Sequence, residues 1–176
     1  AMTEESRRSN VKKLTLIRHA KSDWGSGAAS DFDRPLNRRG NKAVPAMAGR
    51  ILERGSRPDL LVSSPAQRAV ETAVLLAHEL DLPQAQIVYQ RDIYEASPAT
   101  LAEIVRQLPD IEHIAMIGHN PGLSEMGLWL CAQAPEWLPT CAVLELELAV
   151  ADWSSVSPGC ATLLYYDYPK KSRRGT

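Results

Sequence analysis

Two short apolar runs, each ended by a histidine, constrain this chain more than any other feature. Leu14-Thr15-Leu16-Ile17 leads into Arg18-His19, and Ile114-Ala115-Met116-Ile117 leads into Gly118-His119-Asn120-Pro121-Gly122. Apolar runs this short and this continuous are the pattern of strands buried on both faces, as in parallel sheets covered by helices. Such sheets bind ligands in the crevice beyond the carboxyl ends of their strands, and both imidazoles fall there.

The rest of the chain supplies the other layers. Strands are predicted at Lys13–Ile17, Leu60–Ser63, Ile87–Tyr89 and His113–Ile117, and helical stretches alternate with them, which favours a three-layer α/β/α fold with a mostly parallel central sheet. Asn37 is a suitable N-cap for a helix ending near Gly55, although Pro45 should kink that helix or move its start. Ser64-Pro65 and Ser97-Pro98 both read as helix starts, with serine as cap and proline at the first position. Ala69, Ala73, Leu76 and Leu80 form an apolar stripe at helical spacing. A further helix is predicted over Pro121–Cys131. Two β-like runs, Cys141–Ala149 and Ala161–Tyr168, close the chain around a turn at Ser157-Pro158-Gly159.

At 176 residues the chain fits one domain, expected over residues 13–169. Residues 1–12 are expected to be a flexible leading segment, with Ala1 a cloning remnant, and residues 170–176 a solvated basic tail. The formal charge of −1 excludes broad attraction to nucleic acid or anionic membrane. No apolar run reaches the roughly 18 residues of a membrane helix, and no secretory h-region is visible, so a cytoplasmic protein is expected. Cys131, Cys141 and Cys160 lack metal-ligand spacing and are expected as reduced thiols.

The chemistry lies at the strand ends. Phosphoryl transfer asks for an in-line nucleophile, positive charge around the equatorial oxygens and help for the leaving group. His19 can attack through one ring nitrogen while the other donates to a backbone carbonyl. Arg18 and Arg68 offer planar forks matched to phosphate, Arg68 from the first turn of a helix. His119, protonated beside a phosphate, adds a donor, and the Asn120 loop adds backbone amides. Arg34 either lines the pocket mouth or braces the loop through Asp31 or Asp33. His78 and His113 read as structural. Asp23, Asp31, Asp33 and Glu95 share no ligand spacing with the histidines, so neither a metal nor any other cofactor is expected, and activity should persist in excess chelator.

Five blocks carry a resemblance: Leu16-Ile17-Arg18-His19-Ala20-Lys21-Ser22, Asp33-Arg34-Pro35-Leu36 with Gly40, Ser63-Ser64-Pro65-Ala66-Gln67-Arg68-Ala69, Tyr94-Glu95-Ala96, and Gly118-His119-Asn120-Pro121-Gly122. Together the chain resembles the histidine phosphatase superfamily, with its phosphoglycerate-mutase-like fold, and within it the compact SixA-like phosphohistidine phosphatases. The resemblance implies that His19 is the phosphorylated nucleophile and that Arg18, Arg68 and His119 form the phosphate pocket, with Ser22, Arg34 and Asn120 as further candidate contacts. It implies Glu95 as proton donor, with Asp23 the rival.

Two departures separate the chain from mutase-type members, which carry glutamate and asparagine where Lys21 and Gly25 stand. Ala20 replaces the usual glycine after the histidine, and residues 89–113 leave no room for a lid. An uncovered pocket suits a phosphorylated protein carrying phosphohistidine. Small phosphate esters, or a binding-only module for phosphoproteins, are the alternatives.

Overall fold

The computed structural model describes residues 10–25 and 27–171. Most of the expected leading segment and the end of the basic tail lie outside the described residues. The strands are β1 (Lys12–Arg18), β2 (Leu60–Ser63), β3 (Ile87–Tyr89), β4 (His113–Gly118), β5 (Val143–Leu148) and β6 (Ala161–Asp167). The helices are α1 (Arg38–Arg54), α2 (Gln67–Glu79), α3 (Pro98–Arg106) and α4 (Gly122–Leu130).

One sheet runs in the order β3-β2-β4-β1-β5-β6. β3, β2, β4 and β1 are mutually parallel, β5 runs antiparallel to β1, and β6, antiparallel to β5, runs with the first four again. Alternate residues of the central strands enter opposite cores, as the two-residue strand period requires. Leu14, Leu16, Val62, Ile114 and Met116 pack with α3 and α4, including Leu101, Leu123 and Met126. Ile17, Leu61, Ala115 and Ile117 pack with α1 and α2, including Met47, Ile51 and Ala73.

The chain winds outward from β1 through β2 to β3, then returns to lay β4 between β2 and β1. The carboxyl ends of β1 and β4 therefore lie side by side at the place where the winding reverses, the usual ligand crevice of such sheets. Ladder bonds continue past the strand ends: His19 N–H donates to Gly118 O at 3.1 Å and Ser64 N–H to Ile117 O at 3.0 Å.

Several boundaries differ from the sequence expectation. β1 already includes Lys12, which is buried and paired with Leu148, so the first strand begins one residue earlier than expected. α1 passes through Pro45 without a break. Proline removes the bond to Asn41, four residues back, but Asn41 is exposed and water can take its carbonyl. Asn37 caps α1 by accepting from Gly40 N–H at 2.9 Å, and Gly55 closes it at φ 69°. α2 starts at Gln67, with Ala66 at the cap position, rather than at Pro65 with Ser64 as cap. The link from β5 to β6 is more than a turn, since a 3₁₀ helix at Trp153–Ser155 precedes Gly159 and buries Trp153.

Candidate active site

His19 leaves the end of β1 and is 6% exposed. Its Nδ1 lies 2.8 Å from Ala20 O. A carbonyl can only accept, so Nδ1 carries the proton and Nε2 keeps its lone pair. Nε2 accepts from Arg68 Nε at 3.3 Å. Burial, followed by the neighbouring cations, drives the His19 pKa down to about 3. The ring is thus neutral near pH 7, with one nitrogen free to attack.

His119 sits 5.1 Å from His19, ring centre to ring centre. Its Nε2 is 2.7 Å from Ser64 Oγ, while its buried Nδ1 has no partner. Burial first and Arg68 second lower its pKa to about 4. Two arginines and a desolvated pocket keep this imidazole neutral in the empty site; the protonation expected from sequence concerns the phosphate-bound state.

The two arginines are held differently. Arg68 is 5% exposed and directs Nη1 to Asp31 O at 2.7 Å and Nη2 to Asp31 Oδ2 at 3.1 Å. Arg18 gives Nη1 to Leu138 O at 3.1 Å, and its Nε is buried without a partner. Burial, then Arg68, lowers the Arg18 pKa. Unsatisfied donors of this kind, Arg18 Nε among them, are those that a phosphate would satisfy.

Three residues that the sequence reading gave minor parts or none hold this arrangement. Asp31 accepts from Arg68, from Arg34 Nε at 3.0 Å and from the Tyr94 hydroxyl at 2.7 Å. Burial alone would raise its pKa, but Tyr94 and Arg68 outweigh that and keep it low. Burial and Asp31 push the Tyr94 phenol up to about 12, and its ring meets His119 edge-on at 5.5 Å. Thr72 accepts from Ala20 N–H at 3.0 Å. Thr72 stands four residues after Arg68, so one face of α2 carries both, a spacing visible in the sequence.

The remaining candidates separate. Arg34 braces Asp31 and stacks on Trp24 at 3.9 Å. Asn120 gives its amide to Leu138 O at 2.8 Å and accepts from both the backbone and the hydroxyl of Ser124. Its side chain therefore fixes the loop that holds Arg18. Ser22 forms a backbone bridge with Leu36, and its hydroxyl bonds none of His19, Arg18, Arg68 or His119. Asp23 accepts from Asn37 Nδ2 at 2.9 Å, tied to the cap of α1.

Glu95 lies after β3 with φ 58°, in the left-handed region that residues other than glycine seldom adopt. It lines a cleft of about 400 Å³ together with His119, Asn120 and Gly122. Gly122 permits this approach, because a Cβ there would meet Ala96 O at 2.1 Å. Gly40 does the same behind His19, where a Cβ would lie 2.3 Å from Lys21 O. Among the described residues, no group of three or more His, Cys, Asp or Glu side chains could hold a metal ion. Nor, among the described residues, is any helix long and apolar enough to cross a membrane.

A neutral, tautomer-fixed histidine at the reversal point of a mostly parallel sheet, faced by two arginines and a second histidine, has the charge and geometry to receive a phosphate. Residues 14–110 match the histidine phosphatase superfamily (branch 1), and the chain belongs to that family. An uncharacterised protein of Mycobacterium tuberculosis is 31% identical over 166 residues, covering 88% of this chain and all of that protein. The SixA protein of Agrobacterium tumefaciens, a candidate phosphohistidine phosphatase, superposes with a TM-score of 0.76 at 25% identity, covering 90% of this chain and 98% of that one. A protein histidine phosphatase SixA complexed with tungstate gives 0.76 at 22% identity, covering 89% and 97%. Family and fold support a phosphatase.

Proposed function

We propose that the chain hydrolyses phosphohistidine on a protein, taking the phosphate first onto His19. The observation that carries the chemical half is the His19 ring, neutral and oriented by Ala20 O, with Nε2 turned toward Arg68. A binding-only module has no use for such a nucleophile. In the first step the Nε2–P bond forms and the substrate P–N bond breaks, with the proton of Glu95 passing to the leaving imidazole. Arg18, Arg68 and His119 neutralise the equatorial oxygens. In the second step water attacks, the bond to Nε2 breaks and the Glu95 carboxylate takes the proton of water.

The substrate half rests on the mouth of the pocket. Trp137, 55% exposed, lies 5.6 Å from the Arg18 guanidinium, and Trp24, 78% exposed, stacks on Arg34. Exposed tryptophans beside arginines are typical anchors for a protein surface. Small phosphate monoesters are the second reading, favoured by the cleft beside Glu95, which has room for a small leaving group.

Rapid denaturation during turnover of phosphate-labelled substrate tests the mechanism. Label should survive alkali, disappear in acid and be absent from His19→Ala. Acid-stable label refutes a phosphohistidine intermediate. Comparing kcat/KM on a histidine-phosphorylated protein with that on alkyl phosphates tests the substrate, and a preference for the alkyl phosphates would establish the second reading.

A further inference from the structure

A second concavity, about 490 Å³, is lined by Pro139 and Thr140, next in sequence to the Leu138 whose carbonyl holds Arg18, with Lys21, Arg39, Lys42 and Lys170 on its walls and no carboxylate. Its floor is apolar, from Ala43, Pro139, Tyr168 and Pro169. None of the four cations forms an ion pair with a described residue. Like charges gathered without counterions are unfavourable for the free protein and become favourable only when an anion arrives.

The groove is joined to the catalytic edge. Lys21 is two residues beyond His19, and Thr140 precedes Cys141, whose N–H donates to the carbonyls of Arg18 and His19 at 3.0 and 3.1 Å. Ile17 pairs with Val143, and Val143 pairs with Asp167, next to Tyr168. Two strand spacings, about 10 Å, therefore separate β1 from the far wall. That wall is preformed: Arg50 donates to the carbonyls of Tyr168 at 3.0 Å and Pro169 at 3.4 Å.

We infer that this groove docks acidic side chains of the protein substrate whose phosphate occupies the His19 pocket. The inference builds on the proposed protein substrate. A small ester held by its phosphate at His19 is too short to cross about 10 Å, whereas three extended residues span that distance at ~3.3 Å each. Four cations over proline and tyrosine match glutamate or aspartate on an exposed segment. The pocket would thus read the phosphate and the groove its acidic surroundings.

The test uses two peptides that contain one histidine, with glutamates three to five residues away in one and glutamines in the other. Fluorescence anisotropy at low salt with the unphosphorylated peptides should show the acidic one bound on the order of tenfold more tightly. Arg39→Glu/Lys42→Glu and, from a different element, Lys170→Glu should remove that preference. After chemical phosphorylation of the histidine, the acidic peptide should show a kcat/KM about tenfold higher through KM. Both variants should hydrolyse p-nitrophenyl phosphate as the parent does.

Equal binding of the two peptides, or a preference that survives both variants, overturns the groove. Tighter binding of a single-stranded oligonucleotide, lost in the same variants, also overturns it by reassigning the surface. Acidic-peptide binding without hydrolysis of either phosphopeptide would leave the groove standing and sink the proposed activity instead.

Discussion

Glu95 is the residue whose role a single pair of measurements decides. As proton donor its value depends on the leaving group: an alkoxide or a neutral imidazole needs the proton, whereas p-nitrophenolate departs without it. General acid catalysis contributes roughly 10²–10⁴-fold. Glu95→Gln should lose about that factor on an alkyl phosphate or phosphohistidine, and far less on p-nitrophenyl phosphate. A uniform loss, together with a leaving-group-dependent loss in Asp23→Asn, would move the role to Asp23. The hydrogen bond from Asn37 to Asp23 already commits that carboxylate to α1. That His19, Arg18, Arg68 and His119 would come together was legible in the sequence, because Arg18 ends β1, His19 and His119 directly follow strands, and Arg68 lies in the first turn of α2. Asp31 and Tyr94 were not legible as a pair. They lie 63 positions apart, and nothing local announces that one hydroxyl will meet one carboxylate beside Arg68.

At the scale of elements, contact between α4 and the loop after β3 brings Glu95 into the cleft that His119 also lines. Gly122→Ala must move one of them, since its Cβ would lie 2.1 Å from Ala96 O. Overpacking of this kind typically costs 1–3 kcal/mol. Thermal unfolding should fall accordingly, and kcat should drop more on alkyl phosphates than on p-nitrophenyl phosphate, as for Glu95→Gln. A stability loss with unchanged leaving-group dependence would show that the loop position is not what matters. The same scale explains a failed expectation. Ser64-Pro65 and Ser97-Pro98 read identically, yet only Ser97 caps a helix, accepting from Thr100 N–H at 3.1 Å. Ser64 accepts from Ala66 N–H and faces His119 at 2.7 Å. A long-range partner claims the hydroxyl that local sequence offers to a helix. The strands were easier to read, because the apolar runs of the sheet interior need no distant partner to be recognised.

For the whole molecule, three buried histidines tie stability to pH: burial lowers the pKa of His113 as well as those of His19 and His119. The folded values of the site pair, about 3 for His19 and about 4 for His119, lie below the ordinary 6.5. Above roughly pH 6.5 neither state takes a proton there. As pH falls from 6.5, the unfolded chain gains protons that the folded pocket refuses. Stability then declines by about 1.4 kcal/mol per pH unit for each of these two until the folded values are reached. Denaturant titrations of His19→Gln should show a shallower acid decline between pH 6.5 and 4. An unchanged slope would mean that the unfolding pH dependence comes from elsewhere. The bond between Arg68 and Asp31 has its own consequence for turnover. In the proposed mechanism an arriving phosphate would compete with that carboxylate for the guanidinium, and the carboxylate would return when phosphate leaves. Asp31 would then act as an internal rival to the product and limit inhibition by inorganic phosphate. Asp31→Asn removes that rival's charge, so the inhibition constant for phosphate should fall about tenfold and release should slow kcat on activated esters. A higher inhibition constant would show instead that Asp31 mainly holds Arg68 in its grip on phosphate.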